Sequence, residues 1–295
     1  MPLRMKIRHL VLRAFWRALT PWLRYVGRQN KISITCDRWD GGGAQWHARI
    51  STMAFCSSFG FPYFHSEIEE LLPVNSPELR KKWNQLVSLN HKKSSMASPN
   101  QARALSMHGL LKILIRSQFK VHSQTVSVQH CHFFTDYFPH EIEAAIKLGK
   151  LEYANPANLE PKELVGLPTL AVHIRRGHMG PSDETLRLTS DAQIIFVVTE
   201  LNRLFGPLST TIYSALPDAE LESKLPVGVK LNSSADEFEV IHNLVNADYM
   251  LMAKSSMSYV AAVLSRGIVF YEPFWHPPLG SWKQIPRLVN LVEKQ

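Results

Sequence analysis

Hydrophobic positions in the second half of the chain alternate between two spacings. Short apolar segments rich in β-branched residues are separated by stretches in which apolar residues recur every three or four positions. The short segments predict strands at 168–174, 210–213, 228–231, 248–252 and 267–271. The longer stretches predict helices at 191–205, 236–247 and 256–265, with another beginning at Pro217-Asp218. This alternation predicts an α/β fold with a parallel sheet covered by helices on both faces.

The first half of the chain opens with the same kind of unit. Residues 31–36 alternate as a strand, Gly41, Gly42 and Gly43 form a loop, and 44–56 have the pattern of a helix. Glycines let the backbone approach a ligand, and a helix start offers free N–H groups. The loop is therefore a candidate binding element. A tight turn that needs glycine for its own geometry is the alternative.

Composition shifts then indicate where the chain divides. The pattern predicts a short strand at 61–65, a helix from Ser76 onward and a polar loop at 91–103, and proline and asparagine mark a linker near 160. We expect an amino-terminal segment and two Rossmann-like domains, which we place at residues 1–28, 29–160 and 161–295.

The amino-terminal segment holds most of the net charge. The chain of 295 residues has a formal charge of +8, of which residues 1–28 carry +7 because they contain seven basic residues and no acid. The remainder carries +1, so the charge does not indicate nucleic-acid binding. Residues 3–19 have helical periodicity with Lys6, Arg13 and Arg17 on one stripe, and Thr20-Pro21 predicts the start of a second helix.

Two interpretations of this basic segment stay open. It binds the surface of an anionic membrane, or it packs on the body of the protein with its arginines solvated. No uncharged run approaches the roughly 20 residues of a spanning helix. Three scattered cysteines favour a reducing compartment. We expect a cytoplasmic protein, peripheral on the inner face of a membrane, and we expect no metal site.

Polar residues follow the predicted strand at 168–174. Its end reads His173-Ile174-Arg175-Arg176-Gly177, and carboxyl ends of strands are where open α/β sheets bind ligands. Adjacent arginines in a strand point to opposite faces, so one of them can face a crevice while the other braces the loop. An arginine there is suited to a diphosphate because it presents forked donors. Solvated surface arginines are the alternative.

Hydroxyl groups gather at the start of the helix predicted at 256–265. Ser255, Ser256 and Ser258 follow the strand at 248–252. Serines and free N–H groups at a helix start form an anion site, and phosphate is the expected ligand. Simple N-capping by Ser255 or Ser256 is the alternative.

Taken together, the glycine loop, His-Ile-Arg-Arg-Gly and Ser-Ser-Met-Ser occur in the order of a known group of enzymes. They resemble the fucosyltransferase superfamily of α1,2-, α1,6- and protein O-fucosyltransferases, over roughly residues 31–60 and 168–276. The resemblance implies a GT-B-like fold with two Rossmann-like domains facing across a cleft, residues 29–160 on the acceptor side and residues 161–295 binding the nucleotide-sugar. It also implies transfer of fucose from GDP-fucose to a glycan hydroxyl with inversion, without a metal or another cofactor. The same fold with another nucleotide-sugar donor, or an inactive nucleotide- or sugar-binding protein at a membrane, are the alternatives.

The resemblance also implies individual roles. Arg175 would contact the β-phosphate, His173 would lie near the nucleoside, and Arg176 would brace the loop. The three serines would lie near the phosphates, and Gly41 to Gly43 would lie near the donor sugar and the acceptor. Gly177-His178 stands where the family has an acid, and the segment ending at Asp218 only loosely matches its acidic pair for the base. Three residues of the following loop are candidates for the general base of the reaction: His178, Asp183 and Glu184. Of these, the offset of Asp183 from His173 suits the acid of the α1,6 enzymes.

Overall fold

A computed structural model describes ten stretches of the chain. They are residues 3–29, 31–88, 101–104, 106–117, 124–129, 142–143, 151–159, 166–176, 188–274 and 276–285. The chain falls into two compact units. Unit 1 consists of Met1–Glu152 with Trp275–Leu279, and unit 2 consists of Tyr153–Phe274 with Gly280–Gln295.

Unit 1 is built on a small parallel sheet. Its elements up to the unit boundary are α1 (Leu3–Arg28), β1 (Ile32–Cys36), α2 (Gly42–Phe59), α3 (Pro77–Asn84), β2 (Val87–Ser88), β3 (Gln101–Ala104), α4 (Met107–Ser117), β4 (Gln124–Val128) and β5 (Glu152–Tyr153). Strands β1, β4 and β3 pair in that order and are all parallel. On the other side of β1, Ile34 makes a parallel bridge to Tyr63. The core of this unit lies between the sheet and helices α1, α2 and α4, which all contribute buried apolar side chains.

Three sequence expectations for unit 1 need correction. Residues 101–103, predicted as part of a loop, belong to strand β3. The predicted strand at 61–65 is reduced to the single bridge at Tyr63. The helix expected from Ser76 through Trp83, Leu86 and Leu89 begins as predicted, because the Ser76 side chain accepts a hydrogen bond from the Leu79 N–H, but it ends at Asn84. Contacts with distant parts of the chain determine the structure of each of these short segments, since their local sequence patterns are weak.

The amino-terminal segment forms one helix, not the two that Thr20-Pro21 predicts. Helix α1 continues through Pro21, which is exposed, and the Thr20 hydroxyl donates to the Trp16 carbonyl at 2.9 Å. The side chains of Trp16, Leu23 and Val26 are at most 3% exposed and belong to the unit 1 core. This face of α1 therefore packs on the body of the protein. Among the described residues, no helix is both long enough and apolar enough to cross a membrane.

Unit 2 contains a larger parallel sheet. After β5 its elements are β6 (Thr169–His173), α5 (Asp191–Phe205), β7 (Ser209–Tyr213), α6 (Ala219–Lys224), β8 (Lys230–Asn232), α7 (Glu237–Asn246), β9 (Tyr249–Leu251), α8 (Ser256–Leu264), β10 (Ile268–Tyr271) and β11 (Lys283–Gln284). The strand order is β11-β10-β9-β6-β7-β8, and the described pairings are all parallel. The predicted α/β class with a parallel sheet is thus confirmed.

The order of the strands creates a switch point beside β6. The chain goes from β6 to β7 and β8 on one side, and then returns to β9, β10 and β11 on the other. The connection from β6 to β7 and the connection from β9 to β10 therefore run in opposite directions. A crevice opens at the carboxyl ends of two such strands, and open α/β sheets bind ligands there. Both segments that the sequence marks as polar, the end of β6 and the start of α8, lie at this point.

Candidate functional site

A hydrogen bond at the switch point joins the end of β6 to the helix that follows β9. His173 is the last residue of β6, and Ser258 lies in the first turn of α8, which follows β9. The His173 Nδ1 is hydrogen-bonded to the Ser258 Oγ, and the Ala253 N–H donates to the same oxygen at 3.3 Å. Both side chains are buried. Ser258 is hydrogen-bonded both to His173 and to the Ala253 N–H. It therefore holds the end of β6 and the turn before α8 in place beside the crevice.

The His173 ring is neutral at physiological pH. Burial first, and then the nearby positive charge of Arg175, lower the pKa of His173 to about 4. A neutral ring can donate from one nitrogen and accept at the other. His173 is therefore suited to orienting a ligand or a neighbouring side chain through hydrogen bonds, and it adds no positive charge of its own.

We expect acid to destabilise unit 2 through His173. In the unfolded chain the pKa returns to about 6.5, whereas the folded ring resists protonation until about pH 4. Stability contributed by this group is therefore present above pH 6.5 and is lost as the pH falls toward 4, by roughly 3 kcal/mol in all. Urea unfolding across this range measures the effect. The His173→Asn variant, which keeps a polar atom at the Nδ1 position, should lose less stability than the wild type over the same range.

His65 serves as the comparison within unit 1. Burial first, and then the charge of Arg49, lowers its pKa to about 4 as well. The His65→Asn variant should therefore relieve the acid sensitivity of unit 1 and leave that of unit 2 intact. If wild type and His173→Asn lose stability in parallel, His173 does not titrate as proposed.

The start of α8 has the properties of an anion site. Ser255 is the N-cap residue, but its side chain makes no capping hydrogen bond, and the first turn of the helix contains no acid. Ser256 is partly exposed at the same point, and Lys254 precedes the two serines. The free N–H groups and the positive end of the helix dipole attract negative charge.

The two arginines after β6 have different surroundings. Arg175 is half-buried and lies two residues beyond His173, at the carboxyl edge of the sheet. Arg176 binds Asp191 at 2.5 Å and Asp218 at 3.2 Å, and it also donates to the Thr189 carbonyl at 3.4 Å. Arg176 precedes residues 177–187, and Thr189 and Asp191 follow them. The contacts of Arg176 therefore hold the two ends of this segment close together.

Asp218 has both carboxylate oxygens engaged. One accepts from the Leu221 N–H at 3.0 Å, which caps α6, and the other accepts from Arg176. The Leu221 N–H and then Arg176 hold the pKa of Asp218 below its usual value. These contacts give Asp218 a structural part in the described site, while the predicted contact with a donor base stays a prediction.

A buried ion pair extends the site beyond what the sequence indicated. Lys254 and Glu272, which follow β9 and β10, lie 2.7 Å apart with side chains that are at most 13% exposed. Glu272 also accepts from the Thr189 hydroxyl, and Lys254 donates to the Leu188 carbonyl at 3.3 Å. No local spacing connects these residues, and only the parallel register of neighbouring strands could have suggested them.

The candidate bases lie in residues 177–187, between Arg176 and Leu188. His178, Asp183 and Glu184 are outside the described residues, as is Gly177. The described ends of the segment, Arg176 and Leu188, both belong to the carboxyl edge of the sheet. A role for any of the three as base stays a prediction.

The predicted glycine loop of unit 1 needs correction, because Gly42 and Gly43 belong to the first turn of α2, and one of them has a packing explanation. A Cβ on Gly42 would lie 2.1 Å from the ring of Trp83, so α2 can begin there only with glycine. The Trp46 Nε1 donates to the Trp83 carbonyl at 2.6 Å and holds the same contact. Gly41 is the N-cap of α2, and its N–H donates to Asp40 at 2.8 Å. For Gly42 the structure therefore favours a steric need over close approach to a ligand, and Gly41 and Gly43 stay candidates.

Two cavities lie elsewhere. The larger one, of about 700 Å³, follows one face of β6, β7 and β8 beside α7, and it includes none of His173, Arg175 or the serines of α8. The other, of about 490 Å³, lies in unit 1 beside the carboxyl end of β1 and along β3 and β4. Within the described residues, no group of three or more His, Cys, Asp or Glu could hold a metal ion.

Comparison with known proteins finds similarity only to solved structures. One is POFUT1 in complex with GDP, at 12% identity and a TM-score of 0.43, covering 80% of this chain and 95% of that chain. Another is the E. coli heptosyltransferase WaaC with ADP, at 13% identity and a TM-score of 0.41, covering 89% and 99%. No family model matches the chain, and no curated protein matches it. The residues of the site therefore carry the functional interpretation.

Proposed function

We propose that the protein is a glycosyltransferase that binds the diphosphate of a nucleotide-sugar at the switch point of unit 2. The observation that carries the proposal is the convergence there of Arg175, an α8 start without acid or side-chain cap, and the buried pair His173–Ser258. Guanidinium groups and helix starts are both donors to phosphate oxygens. A diphosphate is the ligand that uses both.

In the proposed reaction these residues act on the leaving group. An acceptor hydroxyl attacks the anomeric carbon, the bond to the diphosphate oxygen breaks, and the diphosphate leaves with the electron pair. Arg175 and the N–H groups of α8 stabilise the negative charge that develops on it. The hydroxyl proton passes to a base, for which Asp183 is our first candidate and His178 and Glu184 are the others. Attack opposite the leaving group inverts the configuration.

GDP-fucose is the donor we propose to test first. The reason is the resemblance of His173 to Gly177 and of Ser255 to Ser258 to the motifs of the fucosyltransferase superfamily. Other nucleotide sugars remain alternatives, because Asp218 is already bound by Arg176 and the Leu221 N–H. The acceptor is a glycan, and the reaction needs no metal or other cofactor.

Thermal-shift measurements with GDP, UDP, CDP, ADP and their sugars test this function. A ligand that binds the folded protein raises the melting temperature by mass action, and a ligand at 100 times its Kd adds about 2.7 kcal/mol. We expect one nucleotide and its sugar to raise the melting temperature without added metal. Release of nucleoside diphosphate from that sugar then separates an enzyme from an inactive binding protein. If no nucleotide shifts the melting temperature, the proposed site is wrong.

We further propose that the outer face of α1 contacts an anionic membrane at the cytoplasmic side. Val11, Phe15 and Tyr25 are 45–63% exposed, and at 3.6 residues per turn they fall on one side of α1. Residues 1–28 carry +7 without an acid. Apolar side chains beside basic ones are suited to an anionic lipid surface.

Co-sedimentation with vesicles tests this contact. Binding to vesicles with about a third phosphatidylglycerol should exceed binding to pure phosphatidylcholine and should weaken as salt is added. The Phe15→Ser variant should bind several-fold more weakly at every salt concentration, while Ile115→Ser, an equally exposed position on α4, serves as the control. Equal binding to both kinds of vesicle at low salt would rule out the contact.

A further inference from the structure

Hydrogen bonds reach across the switch point of unit 2 through one residue, Thr189. Its carbonyl accepts from Arg176 at 3.4 Å, and its hydroxyl donates to the carboxylate of Glu272. Arg176 lies just after β6, whereas Glu272 directly follows β10 on the other side of the switch point. Thr189 therefore links the strand ends on the two sides of the crevice.

The buried ion pair continues these contacts to the start of α8. The Lys254 Nζ lies 2.7 Å from the Glu272 carboxylate and donates to the Leu188 carbonyl at 3.3 Å. Lys254 immediately precedes Ser255, the N-cap residue of α8. A continuous chain of polar contacts thus connects the end of β6 with the start of α8. We call it the crevice network, and its members are Arg176, Thr189, Glu272 and Lys254.

Stability alone is a weak reason for an ion pair at this place. The side chains of Lys254 and Glu272 are at most 13% exposed, so both charges have lost most of their contact with water. The cost of that desolvation offsets much of their attraction, and apolar residues of similar volume are often equally stabilising. Apolar residues cannot, however, hold separate segments in place through directional, charge-assisted hydrogen bonds. The pair is therefore suited to placing its neighbours.

We propose that Thr189, Glu272 and Lys254 are positioning residues that set the width of the crevice between Arg175 and the start of α8. A diphosphate meets donors on both sides, so the distance between these donors decides how well the charge of the leaving group is stabilised. A misplacement of about 1 Å can lower a rate about 100-fold. The inference rests on the proposed function, since it concerns how that site is held.

A double variant separates positioning from stability. Lys254→Met alone leaves a buried carboxylate, whereas Lys254→Met with Glu272→Leu replaces the whole pair by apolar side chains of similar size. We expect the single variant to unfold at lower urea concentration and the double variant to recover the wild-type midpoint. The double variant should nevertheless transfer sugar about 100-fold more slowly. The same two substitutions at the exposed pair Lys224–Glu220 of α6 should change neither measurement.

Thr189→Val tests the network without removing a charge. Valine has the shape of threonine but lacks the hydroxyl that bonds Glu272. We expect a rate about tenfold lower at a urea midpoint close to that of the wild type, because Thr189 is partly exposed. Thr189→Ser keeps the hydroxyl and should recover most of the rate that valine loses. Should the double variant not fold, Thr189→Val carries both this measurement and the next.

The titration of His173, followed by NMR of its ring, reports on the crevice without any nucleotide. The ring is bonded to Ser258 in the first turn of α8, and burial keeps its pKa at about 4. If the start of α8 moves away, water reaches the ring, and the pKa should rise toward 6.5 in the double variant and less in Thr189→Val. A wild-type rate in the double variant, or a His173 titration that neither variant changes, would overturn the inference. If no nucleotide binds the wild type, the proposed function fails, and the His173 titration alone decides whether the network positions α8.

Discussion

Replacing Arg175 by alanine is expected to lower the rate of sugar transfer by roughly 100- to 1,000-fold. Arg175 is the half-buried arginine beyond β6, beside the His173–Ser258 pair. In the proposed reaction its contact with the diphosphate strengthens as negative charge develops on the leaving group, so its loss should raise the barrier of the chemical step. Steady-state release of nucleoside diphosphate from the donor that stabilises the wild type measures the change.

Two further variants make the Arg175 result specific. Arg175→Lys should restore little of the rate, because a point charge cannot reproduce the forked donors of a guanidinium. Arg203→Ala removes an exposed arginine whose described partner is Glu200 on the same helix, and it should leave the rate unchanged. Near-wild-type transfer by Arg175→Ala would move the diphosphate site away from the end of β6.

Elements with strong local signals could be predicted from the sequence. Helix α5 has the predicted bounds, and Ser190 caps it by accepting from the Gln193 N–H. Its apolar spacing and its cap residue agree, so nothing in the tertiary structure has to override them. Strand β3 shows the opposite case. Gln101–Ala104 contains no β-branched residue and lies at the edge of its sheet, so only its pairing with β4 makes it a strand.

The candidate site shows the same division. The polar ends of β6 and β9 are visible in the sequence, and parallel strands bring such ends to one edge. That Ser258 bonds His173, or that Lys254 meets Glu272, depends on which strands are neighbours. Strand order is a property of the whole sheet, and no local spacing encodes it. The same holds for position 42. Only glycine fits there because of the ring of Trp83, which lies forty-one residues further along the chain.

Helix α1 is expected to be necessary for the fold of unit 1. The sequence left open whether the basic segment binds a membrane or packs on the body of the protein, and the buried side chains of α1 show that one of its faces packs on unit 1. Leu23 is fully buried and Trp16 is 3% exposed, and Trp16 packs edge-on against Phe55 of α2. Truncating either residue to alanine should cost about 3–5 kcal/mol of unfolding free energy. Removal of the whole helix should leave unit 1 largely unfolded at room temperature, because typical domains are stable by only about 5–15 kcal/mol.

Urea unfolding followed by circular dichroism measures these costs, and Tyr25→Ala is the matched control. Tyr25 lies on the same helix two residues beyond Leu23, but it is 63% exposed, so its loss should change stability by less than about 0.5 kcal/mol. If Leu23→Ala is as stable as Tyr25→Ala, or if the chain beginning at Gln29 unfolds like the full-length protein, α1 is not part of the core. The same variants separate the two faces of α1. Leu23→Ala weakens the fold strongly, whereas Phe15→Ser should affect the proposed lipid contact more than the fold, because Phe15 is 45% exposed and meets Trp16 only edge-on.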